Sequence, residues 1–185
     1  MTYYGGKEMA AAFRTVRNNT IKMAEEIPAS KFDFRFTPDT RTVQETLAHI
    51  AIGSGFQEHI HQNKVTDLKT VNFGELAQRF WAEEKLARTK AETIAFLKSE
   101  GDRFAAYLES LDEAFLAERV AMPPGADPAS KSRFEMLLSP KEHEMHHRGQ
   151  LMAMQRAIGL VPHLTRQMQE RIAAQTAQAG AQAAR

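Results

Sequence analysis

Apolar residues recur at three- and four-residue steps through most of the chain, and this pattern predicts four long helices. The first covers 7–27, where Met9, Phe13, Val16, Thr20, Met23 and Ile27 share a face and Pro28 ends the run. The second covers 42–61. It opens on Thr42-Val43-Gln44-Glu45, a capping box, and turns Val43, Leu47, Ile50 and Ser54 inward. The third covers 87–109, with Ile94, Leu97, Gly101, Phe104 and Leu108 on its stripe. Glycine weakens a helix interior, so Gly101 points to a close approach by a backbone or ligand. The fourth covers 139–158. Ser139-Pro140-Lys141-Glu142 reads as its capping box, with proline at the first helical position and a possible turn before it from Phe134 to Leu138. Gly159 and then Pro162 supply the stop. Its apolar stripe runs through Met136, Leu151, Met154 and Ile158, with Lys141, Arg148, Gln155 and Arg156 opposite.

The connections are less regular. Residues 28–41 place Phe32, Phe34 and Phe36 between charged residues, suited to closing one end of a core. Residues 62–86 form a crossover with a short helix, and Trp81 is expected in the core or an interface, with a pocket wall as the alternative. Residues 111–133 read as a short helical piece and a loop around Pro123, Pro124, Gly125 and Pro128. A fifth helix is expected over 164–174, before a low-complexity tail that should fray. No stretch reads convincingly as a strand. The expectation is an all-α protein: a four-helix bundle over 1–162, then an extra C-terminal helix and tail over 163–185.

Composition narrows the chemistry. The 185 residues suffice for one domain with a substantial core, and the formal net charge is +1. No long basic or acidic run is present, which argues against a nucleic-acid groove. No apolar stretch approaches a membrane span and no signal segment opens the chain, so the cytoplasm is the expected location. There is no cysteine. Disulfides, thiolate metal sites and cysteine nucleophiles are excluded, and a transition-metal site must use histidine and carboxylate.

Three of the seven histidines lie in the fourth helix, at His143, His146 and His147. His143 and His147 are about 40° apart in azimuth and roughly 6 Å apart along a helix axis, so one ion can take a nitrogen from each. Both fall on the apolar stripe, and buried polar groups need partners. Core histidines bonded to backbone or carboxylate would meet that need; metal ligation meets it for both together. His146 points to one side, as a support, a pocket wall or an alternative ligand. His49 is the one histidine in the middle of another long helix, flanking its stripe, and Glu45 one turn earlier could hold its free ring nitrogen. His59 and His61, near that helix's end, read as exposed or capping. The proposed ligand set is His49, His143 and His147. Three protein ligands leave coordination positions open, as catalytic metals do. Gln150, one turn after His147, could orient a ligand.

Thr-Val-Gln-Glu-Thr-Leu-Ala-His-Ile at 42–50, followed by His-Glu-Met-His-His-Arg-Gly-Gln-Leu at 143–151, resembles the DinB/YfiT-like superfamily. The resemblance spans roughly residues 8–162. It implies a bundle of up-down-down-up course, often a homodimer. It also implies a divalent metal, commonly zinc or nickel, on a histidine triad whose positions fall on His49, His143 and His147. Some relatives are metal-dependent transferases or isomerases using low-molecular-weight thiols; others are known only as damage-inducible. The activity this resemblance implies is that of a metal-dependent transferase using such a thiol and a small-molecule substrate. A metal-dependent hydrolase and a non-catalytic, metal-stabilised module remain as alternatives.

Overall fold

The computed structural model describes residues 4–183. Eight α-helices carry the chain: α1 (Gly6–Glu26), α2 (Val43–Ile52), α3 (Gly55–Gln62), α4 (Phe73–Glu84), α5 (Lys90–Glu109), α6 (Glu113–Ala117), α7 (Arg133–Ala157) and α8 (His163–Ala183). α1, α2 with α3, α5 and α7 form the four-helix bundle. Three contacts fix its course. On α1, Phe13 packs on Phe104 while Lys90 caps the carbonyls of Glu25 and Ile27, so α1 and α5 are antiparallel. Early α1 residues Met9 and Phe13 cluster with Leu137, and later ones with Leu151 and Met154, so α1 and α7 run together. On α2, Leu47 meets that same later end of α7, while Ile60 of α3 meets Met136, so these run against α7. The course is up-down-down-up.

The predicted second helix is broken in two. Its capping box forms as read, with Thr42 accepting from the Glu45 N–H and Glu45 accepting from the Thr42 N–H. The break falls at Gly53 and Ser54, whose dihedrals stay helical, and α3 begins at Gly55. His61 does not lie at the surface as expected. It is buried, with Nδ1 accepting from Arg133 at 3.1 Å and Nε2 donating to Gln57 Oε1 at 3.2 Å. Burial, with the Arg133 charge second, pushes it down to about 4. His59 is exposed beside Asn63.

The start of the fourth helix differs too. α7 begins at Arg133, not after Ser139, because Ser132 and Glu135 form the capping box that is used. Pro140 consequently lies inside the helix, where it lacks an N–H to donate. Residues 119–121 and 130–132, expected in a loop, form a small antiparallel hairpin, β1 (Arg119–Ala121) and β2 (Ser130–Ser132), with Arg119 opposite Ser132. Val120 pins it to Ile60 and Met136. α4 is longer than a short crossover helix, and it buries only Leu76 and Glu84. Trp81 is therefore a pocket wall, 60% exposed, not a core residue. Gln155, expected on the polar face, is buried. α8 runs beyond 174 through the segment expected to fray. His163 docks it by donating to Asn19 Oδ1 at 3.1 Å, and Arg166 pairs with Glu26.

Apolar clusters occupy both ends of the bundle, one around Met23, Ile27, Leu47, Leu97 and Leu151, the other around Met9, Phe13, Phe104 and Leu137. Between them lies a polar layer. Arg17 of α1 donates from Nε to Glu144 of α7, from Nη1 to the Leu97 carbonyl of α5 at 2.8 Å, and from Nη2 to the Ile50 carbonyl of α2 at 3.1 Å. One side chain thus bonds to all three other bundle helices. Gly101 makes room for it: a Cβ there would lie 2.8 Å from Arg17 Cγ.

Candidate metal centre

The break in the bundle's second arm and the register of α7 bring three imidazoles together at the polar layer. His49 of α2 faces His143 of α7 across 3.0 Å, Nε2 to Nε2. His147, one turn later on α7, faces the same His143 nitrogen with its own Nε2 at 3.1 Å. The three rings form the group of potential metal ligands found among the described residues. His49 and His143 are half-buried and His147 is buried. Gly53 permits this approach, since a Cβ there would lie 2.7 Å from His143 Nδ1.

Outer partners orient two of the rings. Glu84, at the C-terminal end of α4, accepts from His49 Nδ1 at 2.8 Å and from Arg41 Nε at 2.6 Å. Burial works to raise the Glu84 pKa, but the hydrogen bonds from His49 and Arg41 and the Arg41 charge outweigh it and bring it down to about 2. As a carboxylate Glu84 can only accept, so His49 carries its proton on Nδ1 and turns the Nε2 lone pair inward. His147 Nδ1 donates to Gln150 Oε1 at 2.8 Å, which leaves its Nε2 lone pair inward as well. Two lone pairs thus face His143 Nε2, and a single proton there can satisfy only one of them well.

Burial pushes His143 down to about 4, helped by His147, His49, His146 and Arg41. Burial lowers His147 also, against the Gln150 hydrogen bond. Both rings are held neutral, the form that ligates a cation.

Glu45, the candidate partner one turn earlier, does not hydrogen-bond to His49. It caps Thr42 and pairs with Lys85 at 2.7 Å. Glu84 was missed because it lies in another helix, 35 residues on, with no spacing to announce it. The surviving signal is chemical: a ligating imidazole calls for a carboxylate or carbonyl on its other nitrogen. His146 is exposed; its ring packs edge-on against that of His147, centroids 4.8 Å apart, and Gln150 Nε2 donates to its Nε2 at 3.2 Å. Glu144, buried between the two α7 histidines in sequence, also escaped the sequence reading.

Comparisons with known proteins agree with this architecture. YfiT from Bacillus subtilis, described as a probable metal-dependent hydrolase with an unusual four-helix bundle topology, superposes with a TM-score of 0.65 at 17% identity, over 86% of this chain and 91% of that one. The DinB-like protein YjoA from Bacillus subtilis gives 0.60 at 20% identity, over 82% and 92%. An uncharacterised Clostridium difficile 630 protein gives 0.58 at 16%, over 84% and 98%. No curated protein matches the chain. At these identities the likeness concerns the fold. The family model described as the DinB superfamily matches residues 12–151, and the chain belongs to that superfamily.

Proposed function

We propose that this protein is a divalent-metal-dependent hydrolase of small molecules, with His49, His143 and His147 as the metal ligands. The observation that carries the reading is the convergence of three Nε2 atoms, neighbouring pairs 3.0 and 3.1 Å apart. At metal–nitrogen bonds of about 2.0–2.1 Å, neighbouring donors lie about 2.9 Å apart around an octahedral ion and about 3.3 Å around a tetrahedral one. The measured separations fall between these values, and neutral imidazoles suit zinc or nickel. The description of YfiT as a probable metal-dependent hydrolase supports the same reading.

A bound divalent ion supplies Lewis acidity and makes a nucleophile available near neutral pH. The chain's own residues do the rest. His49, His143 and His147 hold one face and leave the remaining positions to substrate and water. Glu84 keeps the proton on His49 Nδ1 and Gln150 keeps it on His147 Nδ1, so neither ring can swing or change tautomer. Protein purified without a histidine tag should contain about one divalent ion per chain and hydrolyse members of a panel of esters, amides and lactones. A chain that takes up no metal from zinc or nickel solutions would refute the reading.

Glu84→Gln should weaken the metal about 10–100-fold, read by competition with a chromogenic chelator. The amide oxygen can still accept from His49, but the charge that raises the ring's basicity is gone. Unchanged affinity would show that Glu84 serves Arg41 and not the metal site.

A second reading rests on another cavity, of about 680 Å³, which Arg35, Asp39, Arg41, Lys85 and Gln150 line on the other side of Glu84. The charged and amide groups on its wall, set among Phe36, Pro38, Trp81 and Met154, suit a hydrophilic low-molecular-weight thiol. Turnover of an electrophile only when such a thiol is supplied would favour a transferase over a hydrolase. A homodimer is the proposed assembly, supported by Met168 and Ile172, four residues apart and largely exposed on α8; light scattering reads it directly.

A further inference from the structure

An apolar cavity of about 330 Å³ opens directly beside His49 and His143. Ile52, Phe56, Phe73, Ala77, Phe80 and Trp81 form most of its wall. Phe56 and Phe73 stack, with ring centroids 5.4 Å apart and planes 26° from parallel, which gives one flat side. The polar side chains on the cavity are His49, His143 and Glu84. The two histidines belong to the triad, and the Glu84 carboxylate is held by His49 and Arg41.

Such a wall offers water few partners, and Phe73 and Trp81 remain substantially exposed along it. Covering them with an apolar group removes apolar area from water and is favourable. Among the described residues no lysine or arginine lines the cavity, and the Glu84 carboxylate is already taken up by His49 and Arg41, so the wall itself offers a substrate charge no counter-ion. The volume lies at the small end of ligand pockets, which run from about 300 to 1,000 Å³. It suits one ring with its substituents, or a short branched chain.

We infer that this cavity takes the uncharged aromatic or alkyl part of the substrate, presenting an adjacent acyl bond to the triad. The inference rests on the hydrolase reading above. In the hydrolysis, the acyl carbon gains the oxygen of water, its bond to the departing oxygen or nitrogen breaks, and that atom leaves with a proton.

Trp81 is the sole tryptophan, so the wall carries its own reporter. The test titrates the full chain with benzamide and acetamide, following Trp81 fluorescence, with metal content measured in parallel. Benzamide should give a saturable change and acetamide none. Ala77→Phe fills the cavity from α4 and leaves all three histidines in the sequence. It should weaken benzamide at least tenfold while metal content and far-ultraviolet circular dichroism stay as in wild type. Absence of a saturable benzamide response in metal-loaded protein overturns the inference and leaves the hydrolase reading standing. Equal benzamide affinity in Ala77→Phe, or a response that tracks dissociation of a dimer in light scattering, also overturns it. Metal-free protein that cannot be loaded yet binds benzamide as described supports the apolar pocket and refutes the hydrolase reading.

Discussion

Replacing His147 with alanine is expected to empty the metal site and abolish turnover. Loss of a ligand's supporting partner typically costs about 10–100-fold in affinity, and loss of a ligand itself costs more. Three protein donors are the minimum in this arrangement, so two cannot hold the ion against a chelator. His147 also has no nearby replacement. His146 is exposed, and although its ring packs edge-on against that of His147, its Nε2 is bonded to Gln150 and not to the cluster of Nε2 atoms. The variant should therefore fall from about one ion per chain to background in elemental analysis. Its melting temperature should also stop responding to added metal. A ligand present at a thousand times its Kd stabilises by about 4 kcal/mol, which is readily seen as a shift in wild type. The folded state itself should persist, because the α7 helix is held by Leu151, Met154 and Leu137 on either side. Metal content at the wild-type level would remove His147 from the ligand set. A variant that folds without metal and hydrolyses as well as wild type would show that the ion is not catalytic.

How far the sequence reveals this site depends on which physical signal each residue leaves. His143 and His147 are legible because two imidazoles at a four-residue step on an apolar stripe demand a common explanation. His49 is legible once a bundle is inferred, since it sits mid-helix and no other long helix offers one. The helix pattern itself carries most of the architecture, because 3.6-residue periodicity is a local property. What is not local is lost. Glu84 reaches His49 from a crossover helix, and nothing in the spacing of either announces the other. The break at Gly53 and Ser54 has a local signal, the run Gly53-Ser54-Gly55 inside the predicted helix, but the burial of His61 depends on Arg133, 72 residues on, and cannot be read from it. The start of α7 shows a different failure. Two stretches, Ser132 to Glu135 and Ser139 to Glu142, carry the same capping pattern, and the proline in the second makes it look the better start. The structure uses the first, where β2 ends, and keeps the proline inside. Gly101 is the reverse case: a glycine in a helix stripe correctly signals close approach, and the approaching group is the buried Arg17.

That arginine underlies the largest expected effect on stability, in Glu144→Ala. Arg17 and Glu144 are both nearly inaccessible to water, and their ion pair joins α1 to α7 at 3.0 Å. Removing one partner of a buried pair leaves a charge in a medium that cannot solvate it, which costs about 3–5 kcal/mol. For a chain of this size that corresponds to a melting point lower by roughly 10 °C, measured by calorimetry. The isolated guanidinium keeps its bonds to the Leu97 and Ile50 carbonyls, so the loss is electrostatic and not a collapse of the polar layer. A double variant, Arg17→Met with Glu144→Leu, separates the two explanations. If an uncompensated charge is the cause, removing both charges should recover most of the stability. The recovery stays incomplete, because two carbonyls lose a donor at about 1 kcal/mol each. If the double variant is as unstable as the sum of the single ones, the pair is not what holds the layer. The consequence for function comes from register. The pair fixes α7 against α1, while Arg17 also grips α2 at Ile50, one residue after His49. Slippage there moves His49 relative to His143 and His147. Glu144→Ala should therefore weaken metal binding in the folded protein, although Glu144 hydrogen-bonds to none of the three histidines. Full metal affinity in that variant would mean that the triad holds its own geometry without the arginine.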